Sequence, residues 1–125
     1  MQLFRKDQTK NSPEIILDPG GIIRIKGRSI LENATDFYKP VLDWIEEYVK
    51  VPAPLTCIDI SLEYFNSATA KVLITLIQRV SAVTFRNAKF KVNWYYEEGD
   101  EDILERGEYI ESVLETDFNY IKIRD

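Results

Sequence analysis

Apolar and polar residues change their spacing repeatedly along the chain, and each change marks an element. Residues 14–26, EIILDPGGIIRIK, place two β-rich runs on either side of Asp18-Pro19-Gly20-Gly21. Proline pre-sets φ at the second turn position and glycine tolerates positive φ after it, so a hairpin is predicted. In its second run Ile23 and Ile25 alternate with Arg24 and Lys26, the pattern of a strand with one covered and one wet face, expected near a sheet edge. Over residues 32–49 the period lengthens. Phe37, Val41, Ile45 and Tyr48 fall at helical spacing, and Tyr38, Leu42 and Val49 widen the stripe. Ser29 or Asn33 can cap this helix. Pro40 lies inside it, which predicts a first turn ending near Tyr38 and a helix that resumes through Pro40, since proline fits a first turn.

VPAP at 51–54 ends the helix, and LTCIDISLEYF then runs almost continuously apolar, which predicts a central strand buried on both faces. A helix from about Ser67 to Val83 carries Val72, Leu73, Leu76, Ile77 and Val80 on one side. AKFKVNWYY alternates again, with Phe90, Val92, Trp94 and Tyr96 facing one way. A third helix over Glu101 to Leu114 and a short strand, FNYIKI, complete the order ββαβαβαβ. Helices between strands require crossovers, so the fold class is α/β: a mixed, mostly parallel sheet with an N-terminal antiparallel β-hairpin at one edge and about three helices. The N-terminal dozen residues are expected to be loose.

Composition narrows the function more than the fold. The length of 125 residues is that of one domain able to bury a core without metals or disulfides, and residues 1–125 are taken as a single domain. With 16 basic and 21 acidic residues the net charge is −5, against the clustered Lys and Arg on which nucleic-acid binding rests. Histidine is absent, which removes the commonest metal ligand and the usual general base near neutral pH. The lone Cys57 sits in an apolar run and is expected as a buried small hydrophobe in a reducing compartment. MQLFRKDQTKNSP holds no apolar core of signal-peptide length, and no run of ~20 apolar residues is evident, so the expected location is the cytoplasm, with no membrane and no cofactor.

Three stretches carry candidate chemistry. At Asn66-Ser67-Ala68-Thr69-Ala70-Lys71 a strand meets a helix with more hydroxyls than a cap requires. Asn66 and Ser67 are both good caps, and a phosphate on Ser67 would add a charge of about −1.5 to −2 where its own helix tolerates it. The plain alternative is that Ser67 caps and Thr69 is a first-turn residue. In WYYEEGDEDILE, Trp94 and Tyr96 run into Glu97, Glu98, Asp100, Glu101 and Asp102, carboxylates that could meet a basic partner or a divalent cation, or simply favour a helix start. In GRSILEN, Gly27 permits a sharp exit and Arg28 offers a planar fork suited to phosphate.

Together GRSILEN…FYKPVLDWIEEY, LEYFNSATAK and WYYEEGDEDILERGE resemble the SiaC family of bacterial regulatory phosphoproteins, a family similar in fold to the STAS domains of anti-sigma-factor antagonists. The resemblance implies a STAS-like, non-enzymatic partner-switching protein. In it a cognate Ser/Thr kinase modifies a hydroxyl at the start of the helix after the central strand, and a PP2C-type phosphatase removes the group. It also implies that the unphosphorylated form binds and activates a diguanylate cyclase in cyclic-di-GMP signalling. The hydroxyl that follows the Asn is Ser67 here, with Thr69 as the alternative acceptor; Ala68 and Ala70 replace the family's usual hydroxyls. Asn66, Lys71, Arg28, Trp94, Tyr96, Glu97 and Glu98 are the expected partner-facing residues, Lys71 and Arg28 on charge alone. Two alternatives stay open: an anti-sigma factor antagonist binding an anti-sigma kinase, and a small metal-dependent hydrolase using Glu97, Asp100 or Asp102.

Overall fold

A tight turn returns the chain antiparallel, whereas a helical crossover brings it back parallel, and both rules are visible in the computed structural model, which describes residues 1–124. The strands are β1 (Phe4–Lys6), β2 (Glu14–Asp18), β3 (Ile22–Ser29), β4 (Leu55–Phe65), β5 (Lys89–Glu97) and β6 (Phe118–Ile123). They lie in one sheet in the order β1-β2-β3-β4-β5-β6. β2 pairs antiparallel with both β1 and β3, and β3 to β6 are parallel. The three crossovers are α1 (Ala34–Tyr48), α2 (Ser67–Val80) and α3 (Glu101–Leu114). Asp18 closes the hairpin by accepting from Gly20 N–H at 2.8 Å.

All three helices contribute to one core against a single face of the sheet. Leu17, Ile23, Ile58, Val92 and Phe118 are register partners across β2 to β6 and all are buried. The other face is polar. There Arg24 reaches Asp59 at 3.9 Å, Asn93 donates to Asp59 at 2.8 Å, and Asn119 donates to Asn93 at 3.2 Å. This rung follows the register from β3 to β6 and satisfies its side chains without a covering layer.

The open face corrects two expectations. β4 is central, but it is covered on one face only: Ile58, Ile60 and Leu62 are buried, whereas Cys57, Asp59 and Ser61 are half-buried on the open side. A run such as LTCIDI reads as apolar throughout because Cys57 interrupts the alternation weakly. β3 lies third among the six strands, not near an edge; its alternation of Ile with Arg and Lys reflects the open face.

The N-terminal residues expected to be loose contain β1, whose Phe4, Arg5 and Lys6 pair with Leu17, Ile16 and Ile15. Trp44 adds a tie from α1 by donating its indole N–H to the Gln2 carbonyl at 2.9 Å. A three-residue strand is too short to show a period. Helix α1 is continuous, with Pro40 in its interior and no separate first turn. Asn33 caps it, accepting from Asp36 N–H at 3.2 Å, and Tyr38, not Phe37, is the fully buried ring. Helix α2 ends at Val80 and passes into a 3₁₀ turn, Ser81–Arg86. By length and composition Ser67–Arg86 could cross a bilayer. Its Val72, Leu73, Leu76, Ile77 and Val80 are instead buried in the core.

Candidate functional site

β4 ends in buried Phe65, and Asn66 takes an extended conformation that launches α2. Its side chain is used at both ends: Oδ1 accepts from Thr69 N–H at 3.0 Å and Nδ2 donates to the Leu31 carbonyl at 2.9 Å. The Asn66 backbone N–H donates to the Ser29 carbonyl at 3.2 Å. The cap therefore also fastens the end of β3 and the loop leading to α1.

The two candidate hydroxyls have opposite environments. Thr69 is wholly buried, with Oγ1 2.7 Å from Ser29 Oγ and donating to the Ser29 carbonyl at 3.2 Å. Ser29 Oγ is in turn 2.9 Å from Tyr38 OH. Ser67 is exposed on the first turn, and no protein hydrogen bond holds its hydroxyl among the described residues. Replacing Thr69 by Val keeps the shape but removes the hydroxyl that bonds both Ser29 Oγ and the Ser29 carbonyl, leaving Ser29 under-satisfied. The expected cost is about 1–3 kcal/mol in urea denaturation, with Thr69→Ser losing less.

The phenol at the end of this chain titrates late. Burial pushes Tyr38 up to about 12 from an ordinary value of 10, against a smaller downward pull from its hydrogen bond to Ser29. The folded state therefore holds this proton more tightly than the unfolded chain does. Its contribution to stability is full below pH 10 and is lost as pH rises from 10 to about 12. Urea midpoints at pH 9 and pH 11 are expected to differ less in Tyr38→Phe than in the parent protein.

Ser67 lies on the rim between two shallow depressions. One, of about 250 Å³ between α2 and α3, is lined by Phe65, Asp102, Glu105, Arg106 and Tyr109 among others. The second, of about 530 Å³ along α1 and α2, is lined by Thr35, Leu42, Lys71, Thr75 and Arg79. Lys71 is thus brought beside Ser67. Arg28 is not: it is exposed at the end of β3, in register with Tyr64, and lines neither depression. The cation that sequence reasoning missed is Arg106, which donates to the Phe65 carbonyl and lies 4.0 Å over the Phe65 ring. It is a lone basic residue in an acidic helix, and only the packing of α3 against the end of β4 links it to Ser67.

The aromatic and acidic stretch does not form one surface. Trp94 is buried, its indole N–H donating to the Ile103 carbonyl at 3.0 Å, which corrects its assignment to partner contact. Tyr96 and Glu97 line a depression of about 210 Å³ at the carboxyl ends of the strands, with Lys26, Ser61, Tyr95 and Asp100. Glu98 is exposed and lies 3.9 Å from Arg124. Asp100 caps α3, accepting from Ile103 N–H at 3.1 Å, while Asp102 points to the other depression beside Ser67. Among the described residues no three His, Cys, Asp or Glu side chains are grouped to hold a metal ion. Of the hydrolase alternative's carboxylates, Glu97 and Asp100 share one depression and Asp102 lines another.

What these features define is a small α/β domain with a one-sided mixed sheet and its exposed chemistry at a strand-to-helix junction. The chain belongs to the SiaC family: the model described as SiaC family regulatory phosphoprotein matches residues 6–123. Its fold is similar to apo-SiaC from Pseudomonas aeruginosa, with a TM-score of 0.83 and 20% identity over 98% of each chain. A TM-score of 0.83 and 20% identity also relate it to a chain in the crystal structure of the diguanylate cyclase SiaD in complex with its activator SiaC from Pseudomonas aeruginosa, over 98% of this chain and 99% of that one. No curated protein matches the chain.

Proposed function

We propose that this chain is a non-enzymatic partner-switching protein whose unphosphorylated form binds and activates a diguanylate cyclase, and that reversible phosphorylation of Ser67 releases the partner. A Ser/Thr kinase adds the group and a PP2C-type phosphatase removes it. The observation that carries this reading is the division of labour at the junction. Asn66 does the capping, Thr69 is buried in the hydroxyl chain, and Ser67 is the hydroxyl left exposed. Membership of a regulatory phosphoprotein family and the fold shared with a cyclase activator support it.

The mechanism is one of desolvation and charge. The partner docks over the start of α2, where Ala68, Ala70 and Leu42 give a partly apolar surface beside Lys71. A phosphate there adds a charge of about −1.5 to −2 that docking must strip of water and that repels acidic groups on the partner. Phosphorylation therefore lowers affinity without requiring the fold to change.

The test is peptide mass spectrometry of the protein from its own cells beside a Ser67→Ala variant. A phosphate on the peptide containing Ser67 and Thr69, absent from the variant, is the expected result. Phosphate retained in the variant transfers the role to another residue, and its absence under all growth conditions removes the switch.

A further inference from the structure

We propose that Arg106 is the counter-ion for a phosphate on Ser67, the residue that holds the modified state of the junction. The inference rests on the phosphorylation reading above and adds to it the group that recognises the phosphate.

Arg106 is fixed in place by neutral contacts. Its Nη1 donates to the Phe65 carbonyl, and its guanidinium carbon lies 4.0 Å from the centre of the Phe65 ring and 5.7 Å from that of Tyr64. A planar cation held against aromatic faces loses little freedom when it pairs. Arg106 also lacks an acidic partner where one is close in sequence. Asp102 and Glu105 line the same depression, yet among the described residues Arg106 makes no salt bridge. A guanidinium has five N–H donors, and one protein acceptor is seen here. Ser67 borders that depression two residues beyond Phe65, the residue to which Arg106 is tied.

The two carboxylates sharpen the assignment. A phosphate entering this depression meets Asp102 and Glu105 as like charges, so no general positive field draws it in. Its pairing depends on the single preplaced fork, which matches phosphate geometry with two parallel donors. Lys71, on the opposite rim, is an exposed flexible cation with no such fixation.

Phosphoserine installed at position 67 by co-translational incorporation tests the pairing independently of whether the cell's kinase uses that residue. Phosphorus NMR titration is expected to show the phosphate losing its second proton more readily with Arg106 present than in Arg106→Gln. The expected difference in proton affinity is about two- to fivefold, the range of partly exposed ion pairs. Arg106→Lys recovers part of it, because an ammonium lacks the fork. Coincident titration curves for the parent and Arg106→Gln overturn the inference. Because Arg106→Gln also removes contacts to Phe65, melting temperatures of both proteins with and without the phosphate complete a cycle. Pairing makes the effect of Arg106→Gln larger in the phosphorylated protein, and equal effects in both states reduce Arg106 to a packing role and overturn the inference. A shifted titration in a protein that cells never phosphorylate supports the pairing while counting against the switch.

Discussion

Under the proposed switch, phosphoserine at position 67 is expected to weaken binding to a diguanylate cyclase partner by about 10- to 100-fold, the equivalent of one or two steps of 1.4 kcal/mol. Ser67→Ala is expected to bind as the unmodified protein does and to lose all response to the kinase. The difference follows from the exposure of Ser67. Losing one exposed hydroxyl falls within the ±0.5 kcal/mol or so typical of surface changes, whereas burying a dianion under a partner carries a desolvation cost. Titration calorimetry with the purified cyclase measures both arms. Equal affinity of the modified and unmodified proteins would sink the release mechanism even if phosphate is found on Ser67 in cells. Thr69 does not offer a second route in the folded protein. Its hydroxyl is buried against Ser29, so a kinase would have to open the junction to reach it.

The largest loss of stability is expected at the contact between β5 and α3. Trp94 is packed edge-on to Phe65 with ring centres 5.9 Å apart, stacks on Phe118 at 6.0 Å, and anchors the Ile103 carbonyl. Trp94→Ala is expected to cost about 3–5 kcal/mol, combining the lost transfer energy with the cavity left behind. The same contact dictates Gly107. A Cβ built there would come within 2.5 Å of the Trp94 ring, closer than side-chain carbons approach. Gly107→Ala is therefore expected to destabilise by about 1–3 kcal/mol, although alanine favours helix more than glycine does. In a Trp94→Phe background the smaller ring leaves room, and the penalty of Gly107→Ala should shrink. An equal penalty in both backgrounds, measured by denaturant melts, would show that the ring is not what demands glycine. Arg106 precedes Gly107, so loosening α3 is also expected to reduce the pairing with a phosphate on Ser67.

Periodicity is a local property, and local properties were legible. The hairpin at Asp18-Pro19-Gly20-Gly21, the three crossover helices and the parallel run of strands follow from spacing and turn chemistry, because each depends on residues a few positions apart. A cap at Asn66-Ser67 was legible for the same reason, and the structure gives it to Asn66. By itself the sequence determined an α/β domain with a strand-to-helix junction rich in hydroxyls.

Choosing between the two hydroxyls was beyond it. Ser67 and Thr69 are two residues apart and equally polar, and only Ser29 and Tyr38, brought in from β3 and α1, bury one and leave the other in water. The open face of the sheet was hidden too, because helices can cover either side and the alternation on β3 and β5 does not say which strands lie between them and an edge. Trp94 looked like a surface aromatic until α3 closed over it, and Arg106 was one charge in an acidic helix until that helix laid it against Phe65. Those assignments rest on contacts across 9 residues between Trp94 and Ile103 and 41 residues between Phe65 and Arg106, separations at which no spacing rule applies and packing alone decides.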